Sequence, residues 1–456
     1  MSKKYNFDYI VIGSGPAGST AALNLAKAKK HVALVEGKYF GGSNLNTRDI
    51  PYKVALNFSH TYTKLSSLPE FRNQELSFSL PTALSHQSRV VVSLSEDNKK
   101  SLESANITCI NGYANFLDSH TIAVGDQKFT ARSFIIATGA KLKTFGIAGT
   151  DSVHHLTPET AIKVRRLPKV AVVVGSGSTG CEIAEYFAEL GVKVILLESS
   201  DRILPREDKE VSEAISDYFT HKLGIMVLPS CKVVALEQDN FSKRIIFQNS
   251  RNEKMVRTDC VILATGSQPA TDFGLENAGI KYKNTGIIVN KYFETSAKNI
   301  YAIGDVLGKD SSTELAEYEG SILSSNLIHK AKNSVNYQGF ARIVNTLPSI
   351  ATIGLNEDDL IRRDRKYKKS IVKLNEIPAS KINDFSHGFI KLLADKKNDR
   401  IIGATIVAPN AEFLSAEIAI AIRHNLTAIE LASTPHPTND YSYLIKLAAK
   451  NLIGKK

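Results

Sequence analysis

Apolar positions along this chain gather into short runs, and two of those runs open onto the same series of signals. Tyr9-Ile10-Val11-Ile12 leads into Gly13-Ser14-Gly15-Pro16-Ala17-Gly18, and Val172-Val173-Val174 leads into Gly175-Ser176-Gly177-Ser178-Thr179-Gly180. An apolar run of this length bounded by glycine predicts a buried strand, and the segment after each glycine set is of helical type. A second pattern is also duplicated: Ser-Phe-Ile-Ile-Ala-Thr-Gly over 133–139 and Cys-Val-Ile-Leu-Ala-Thr-Gly over 260–266 each predict a buried strand ending in a glycine turn. The stretch from Thr295 ends in Ile300-Tyr301-Ala302-Ile303-Gly304-Asp305, a short strand with an acid at its carboxyl end, where ligands collect in parallel sheets. From about residue 336 the chain changes character. Strand-like runs at Gly388–Leu393 and Ile401–Val407 precede a helix at about Ala411–His424, with no nucleotide signature.

An acid follows each glycine set at one offset: Glu36 is 23 residues after Gly13, and Glu198 is 23 residues after Gly175. Strand, glycines, helix and acid in register twice form a phosphate-binding fingerprint. The first glycine permits the tight turn, the second lets backbone approach a pyrophosphate, and the third lets helix pack on strand. Free N–H groups at the helix N-terminus then face phosphate, and the acid sits where a ribose diol donates. The expected fold is α/β. It comprises two tandem Rossmann-like dinucleotide-binding domains, over 1–150 and 151–275, and a C-terminal α+β domain over 336–456. Two dinucleotides in one chain imply electron transfer between them, most simply between a nicotinamide and a flavin.

Composition narrows the classes. The net charge of +11 suits an anionic partner, yet the lysines are dispersed, tryptophan is absent and no basic stripe interleaves with aromatics. Nucleic-acid binding is therefore not expected. No apolar run approaches the roughly 18 residues of a membrane helix. The first eight residues lead straight into a strand and fit no signal peptide. The expectation is a soluble, cytoplasmic protein with no membrane partner. No metal-ligating set is read from the sequence.

Both fingerprints, both Ala-Thr-Gly strands, Ile303-Gly304-Asp305, Gly403-Ala404 and His436-Pro437-Thr438 together resemble the pyridine nucleotide–disulfide oxidoreductases. This is the family of dihydrolipoamide dehydrogenase, glutathione reductase and mercuric reductase, and the likeness spans nearly the whole chain. It implies an FAD domain over 1–150 completed by about 276–335, an NAD(P)H domain over 151–275, and a C-terminal domain that makes a homodimer. It places Gly13, Gly15, Gly18, Glu36, Gly42, Ser43, Ala114, Thr138, Gly139, Asp305 and Ala316 at FAD. It places Gly175, Gly177, Thr179, Gly180, Glu198 and Gly266 at the nicotinamide dinucleotide. Asp305 would hold the ribityl chain and Glu36 the adenosine ribose. Thr179 stands where relatives gate the nicotinamide pocket with a Tyr or Val.

The resemblance also exposes a gap. The family has Gly-Gly-Thr-Cys, four residues, then Cys-Ile-Pro-Ser-Lys. Residues 41–53 here read Gly-Gly-Ser-Asn-Leu-Asn-Thr-Arg-Asp-Ile-Pro-Tyr-Lys, so Asn44 and Asp49 occupy the cysteine positions. Gly41-Gly42, Ile50-Pro51 and Lys53 bracket the change and secure the register. The four cysteines, Cys109, Cys181, Cys231 and Cys260, form no close pair, and three lie in apolar strand-like runs. A chain without a dithiol cannot cycle thiolate and disulfide. Reduction of dihydrolipoamide, glutathione or mercuric ion by the family route is not expected.

What remains is the nicotinamide side. Lys53 and Glu182 match a family pair beside the flavin, and the resemblance implies that they polarise it. Glu198 favours NADH over NADPH, because a carboxylate accepts from a free 2′-hydroxyl and repels a 2′-phosphate. In the C-terminal motif His436 is kept, while Tyr441 stands at the family's Glu position. His436 is either a proton donor or a turn residue that shapes the dimer interface, for which a cis bond to Pro437 would fit. Asp49 is either a proton donor or a solvated pocket residue. The leading expectation is an FAD-dependent oxidoreductase passing hydride from NADH to a small non-thiol acceptor such as a quinone. The alternatives are a pyridine nucleotide transhydrogenase, which would accept both nicotinamides, and a flavin-binding sensor or structural subunit, which would be reduced slowly.

Overall fold

The structure is a computed structural model, and it describes residues 5–71, 76–143, 146–239, 242–250, 252–308 and 312–454. Residues 1–4, part of the lead-in weighed in the sequence as a signal peptide, lie outside the described residues. The chain forms two compact units. The first takes Met1–Ala55, Ser79–Lys143 and Gly266–Asn336; the second takes Leu56–Phe78, Thr144–Thr265 and Tyr337–Lys456.

The first unit is built on the predicted strand Phe7–Ile12. Parallel strands lie on both sides, in the order Thr108–Asn111, Val32–Glu36, Phe7–Ile12, Gln127–Ile136, Ile300–Ala302. Ile10, Val11 and Val32 through Leu34 have no exposed surface, as expected where a parallel sheet is covered on both faces. Each Ile, Val or Leu side chain among them contributes about 1.5–3 kcal/mol on burial. Gln127–Ile136 does double duty: its first residues pair antiparallel with Thr121–Val124, and its later ones join the parallel sheet. The helices Pro16–Lys27 and Thr313–His329 belong to this unit. So does Leu80–Ser104, a long helix that hydrophobic patterning did not single out, because little of it is buried.

The second unit repeats the plan with a parallel sheet ordered Met226–Leu228, Lys193–Leu197, Val170–Val174, Cys260–Leu263. A three-stranded antiparallel sheet, Cys231–Gln238, Lys243–Asn249 and Asn252–Thr258, interrupts it. A five-stranded antiparallel sheet follows, ordered Ala341–Val344, Ser349–Gly354, Ile401–Ala408, Phe389–Asp395, Tyr367–Lys373. The predicted helix appears as Ala411–Arg423 and packs on this sheet, as does Tyr443–Leu452. The α/β plus α+β class expected from the sequence is what the chain adopts.

One ion cluster sits deep in the second unit. Lys391 lies on the strand Phe389–Asp395 with its side chain wholly buried. Its ammonium is 2.7 Å from Asp208, 2.9 Å from Glu210 and 2.7 Å from Glu357. Burial opposes the lysine's charge, but its carboxylate partners override that and raise its pKa. Burial likewise pushes Glu357 up, and hydrogen bonds from Lys391, Tyr367 and Lys369 overcome it, bringing Glu357 down to about 2.

Candidate active site

The two fingerprints fold alike to the level of single hydrogen bonds. In the first, Glu36 Oε2 accepts the Ser14 N–H at 2.9 Å and its hydroxyl at 2.6 Å, while Oε1 accepts the Lys38 N–H at 2.8 Å. In the second, Glu198 Oε2 accepts the Ser176 N–H at 2.9 Å and hydroxyl at 2.7 Å, and Oε1 accepts the Ser200 N–H at 2.7 Å. The serine between the first two glycines therefore clamps the distant acid. Burial works against the Glu198 charge, yet the bonds from Ser200 and Ser176 win and hold its pKa below the usual range. Sequence reading identified the acids but missed the serines that orient them; the shared Gly-Ser-Gly triplet was the available signal.

The glycines divide by cause. A Cβ on Gly18 would lie 1.9 Å from the Gly13 carbonyl oxygen, and one on Gly180 would lie 1.9 Å from that of Gly175. Those glycines are required by helix–strand packing. Gly13 and Gly175 turn through φ of +102° and +97°. Gly15 and Gly177 are different: their backbones are extended and a Cβ would meet nothing within 4 Å. Neither the fold nor the backbone conformation demands glycine there. A dinucleotide phosphate seated at the N-termini of Pro16–Lys27 and Ser178–Glu189 does, so both sites fit the groups the fold implies.

Around the first fingerprint, Gly42 and Ser43 open the short helix Gly42–Asn46, and a Cβ on Gly42 would approach Gly15 Cα to 2.6 Å. Thr138 donates its hydroxyl to the Ala270 carbonyl at 2.9 Å, next to Gly139 at a φ of +70°. Ala114 begins the strand Ala114–Asp118 and is buried. Asp305 lies on the short 3₁₀ turn Gly304–Leu307, whose first N–H is held by buried Glu319 at 2.7 Å; Ala316 is buried on the helix Thr313–His329. In the second unit, Gly266 turns at a φ of +92° after its strand, and Thr179 is half-buried in the first turn of its helix.

Asn44 and Asp49, read from the sequence at the family's cysteine positions, meet each other. Asn44 Nδ2 is 3.3 Å from Asp49 Oδ2, and Thr313 donates its hydroxyl to the same oxygen at 2.6 Å. Asn44 also bonds Thr313 directly. Asp49 is exposed at the head of the helix Asp49–Ser67, and Lys53 is exposed one turn on. Glu182, in the second unit, is buried and accepts the Asn345 N–H at 2.7 Å and its side-chain amide at 2.9 Å. All four cysteines are free. Burial raises the thiols of Cys109, Cys181 and Cys260, the opposite of what an attacking thiol needs.

The C-terminal motif differs from expectation in two respects. The bond before Pro437 is not cis; among the described residues the cis bond is Leu347–Pro348. And His436 has a carboxylate after all. Its Nε2 lies 2.7 Å from Glu417 on the helix Ala411–Arg423, while Nδ1 lies 2.8 Å from the Thr434 carbonyl oxygen. Tyr441, at the family's Glu position, is buried. No local spacing rule links residues 417 and 436, so patterning did not reveal the pair.

Two fingerprints of one design, each on a parallel sheet, are the architecture of the flavin-dependent pyridine nucleotide oxidoreductases. Comparison with known proteins agrees. The pyridine nucleotide-disulphide oxidoreductase family matches residues 7–333, and the family's dimerisation domain matches residues 340–446. The chain belongs to this family, whose members are FAD-dependent and use NAD(P)H, and the dimerisation domain indicates a homodimer. A mercuric reductase of Staphylococcus aureus is 31% identical over 449 residues, covering 97% of this chain and 82% of that protein. A dihydrolipoyl dehydrogenase of Buchnera aphidicola subsp. Baizongia pistaciae is 30% identical, covering 100% and 99%. The flavoprotein disulfide reductase RclA of Escherichia coli shares the fold, with a TM-score of 0.89 at 24% identity over 98% of this chain and 100% of that one. Among the described residues no helix is long and apolar enough to cross a membrane.

Proposed function

We propose that this chain is an FAD-dependent oxidoreductase that takes hydride from NADH and delivers electrons to a non-thiol acceptor of the quinone type, without disulfide exchange. The observation that carries this reading is the Asn44–Asp49–Thr313 cluster, a hydrogen-bonded polar floor where relatives hold a dithiol. Residues 1–150 with 276–335 would hold FAD, 151–275 the nicotinamide, and 336–456 the dimer contact. When bound, FAD supplies a two-electron relay between a nicotinamide and a second acceptor. The chain's own part is placement and charge. Ser14 and Ser176 fix the ribose-binding acids, and the helix N-termini offer N–H groups to phosphate. Lys53 and Glu182 are proposed as charges that polarise the reacting ring, with Asn345 fixing the Glu182 carboxylate. Asp49 and His436 are the proposed proton donors to the acceptor, the latter oriented by Glu417. The reactions that the mercuric reductase and dihydrolipoyl dehydrogenase relatives are named for are not carried over, since Asn44 and Asp49 cannot exchange with a disulfide.

The test is anaerobic stopped-flow reduction of the purified flavoprotein by NADH, followed by mixing with benzoquinone or with oxidised lipoamide. Fast bleaching, fast reoxidation by the quinone and none by lipoamide are expected. No bleaching, or turnover of lipoamide, would overturn the proposal.

The cofactor preference has its own test. Glu198 held as an anion should make kcat/KM for NADH exceed that for NADPH. Glu198→Ala should shrink the ratio by roughly tenfold, about 1.4 kcal/mol of discrimination. An unchanged ratio would remove Glu198 as the selector.

A further inference from the structure

A second cluster of chemistry-bearing side chains lies further along the helix of the second fingerprint. Glu182, Glu185 and Glu189 recur along one face of the helix Ser178–Glu189 and are all buried. Glu182 is met by Asn345. Glu185 and Glu189 instead face His60, which lies on the helix Asp49–Ser67. Among the described residues no Lys or Arg forms an ion pair with either carboxylate.

His60 Nε2 is 3.3 Å from Glu185 Oε2 and 3.7 Å from Glu189 Oε2, and one ligand atom from each of the three residues lies within 4.8 Å of the others. Ligand atoms around a tetrahedral zinc ion, with bonds of ~2.0–2.1 Å, stand about 3.3–3.4 Å apart. The nitrogen and the first carboxylate already have that spacing, and the second carboxylate stands a few tenths of an ångström farther from the nitrogen.

The independent observation concerns Glu189. It is 8% exposed, and neither of its carboxylate oxygens has a hydrogen-bond partner. The Ser59 and Thr63 hydroxyls are close enough to bear on its charge but fall short of hydrogen-bond geometry. The Ser59 hydroxyl is given to the Leu56 carbonyl at 3.2 Å. A buried carboxyl with unmet acceptors, aimed at an imidazole, is costly unless something completes it. Glu185 is already oriented by the Leu347 N–H, at 3.0 Å from both carboxylate oxygens, as the carboxylates of a metal site usually are by an outer partner.

We propose that His60, Glu185 and Glu189 bind one divalent cation of the zinc type. One imidazole and two carboxylates make a donor set that suits zinc. The His60 side chain is 21% exposed and gives the ion a way in. Within the second unit the bound ion ties Leu56–Phe78 to the helix that opens the second fingerprint.

The experiment is equilibrium dialysis of the FAD-loaded protein against Zn²⁺, with metal content read by mass spectrometry and Co²⁺ as an absorbing substitute. One tightly bound equivalent per chain is expected, with Co²⁺ giving the intense visible bands of a tetrahedral site. Glu189→Gln, nearly isosteric, and His60→Ala should each weaken Zn²⁺ binding by roughly 100-fold or more. His221→Ala, at an exposed His–Asp pair, should not. Normal circular dichroism and flavin content in Glu189→Gln would show that its fold survives. Absence of stoichiometric uptake by the wild type, or uptake unaltered in Glu189→Gln and His60→Ala, would overturn the proposal.

Discussion

Replacing Lys391 by methionine is expected to destabilise the second unit by about 3–5 kcal/mol. The ammonium is fully buried among Asp208, Glu210 and Glu357. Methionine keeps the chain length but removes the fully buried cation that the three acids share, leaving carboxylates that must protonate or repel. Urea unfolding followed by circular dichroism measures the loss as a lowered midpoint at unchanged slope. The pH dependence gives a second reading. Glu357 has a depressed pKa, so its contribution is complete above the ordinary carboxylate value of 4.5 and is lost as pH falls through that value towards about 2. In Lys391→Met the hydrogen bond that does most to depress Glu357 is gone, and the part of the acid sensitivity between pH 4.5 and 2 that Glu357 causes should flatten. A variant as stable as wild type across that range would show that the cluster is neutral for stability.

This cluster also marks where sequence reading stops. The run Gly388–Leu393 was legible as a strand, and so were both fingerprint strands, because continuous apolar residues bounded by glycine carry their own explanation. That Lys391 in the middle of such a run is buried depends on three acids at positions 208, 210 and 357, which no local pattern connects. The same holds at the site. Glu36 and Glu198 could be read from a fixed offset, since chain geometry sets the distance from glycine turn to the end of the next strand. Glu417 beside His436, Asn345 on Glu182 and Thr313 on Asp49 arise only from packing. That residues 44 and 49 are Asn and Asp is plain in the sequence; that they bond each other arises only from folding.

The glycines of the first fingerprint offer the sharpest separation of fold from function. Gly15→Ala is expected to leave the cofactor-free protein as stable as wild type, or more stable by about 0.4–1 kcal/mol, because alanine restricts the unfolded chain. The native backbone, at φ −64° and ψ −178°, accepts it, and the new methyl meets no protein atom within 4 Å. The same methyl would stand between an FAD pyrophosphate and the N–H groups that open the helix Pro16–Lys27. Losing one or two hydrogen bonds to a charged group, each about 1.5–3 kcal/mol, should weaken FAD binding by about 10- to 10⁴-fold. Gly18→Ala should do the reverse in the cofactor-free protein. Its Cβ falls 1.9 Å from the Gly13 carbonyl oxygen, so strand and helix must part, at a cost of about 1–3 kcal/mol. Thermal unfolding of both flavin-stripped variants, with FAD titration by fluorescence quenching, reads the two effects separately. If Gly15→Ala binds FAD as wild type does, the pyrophosphate does not lie against this turn, and the assignment of the first fingerprint to FAD is wrong.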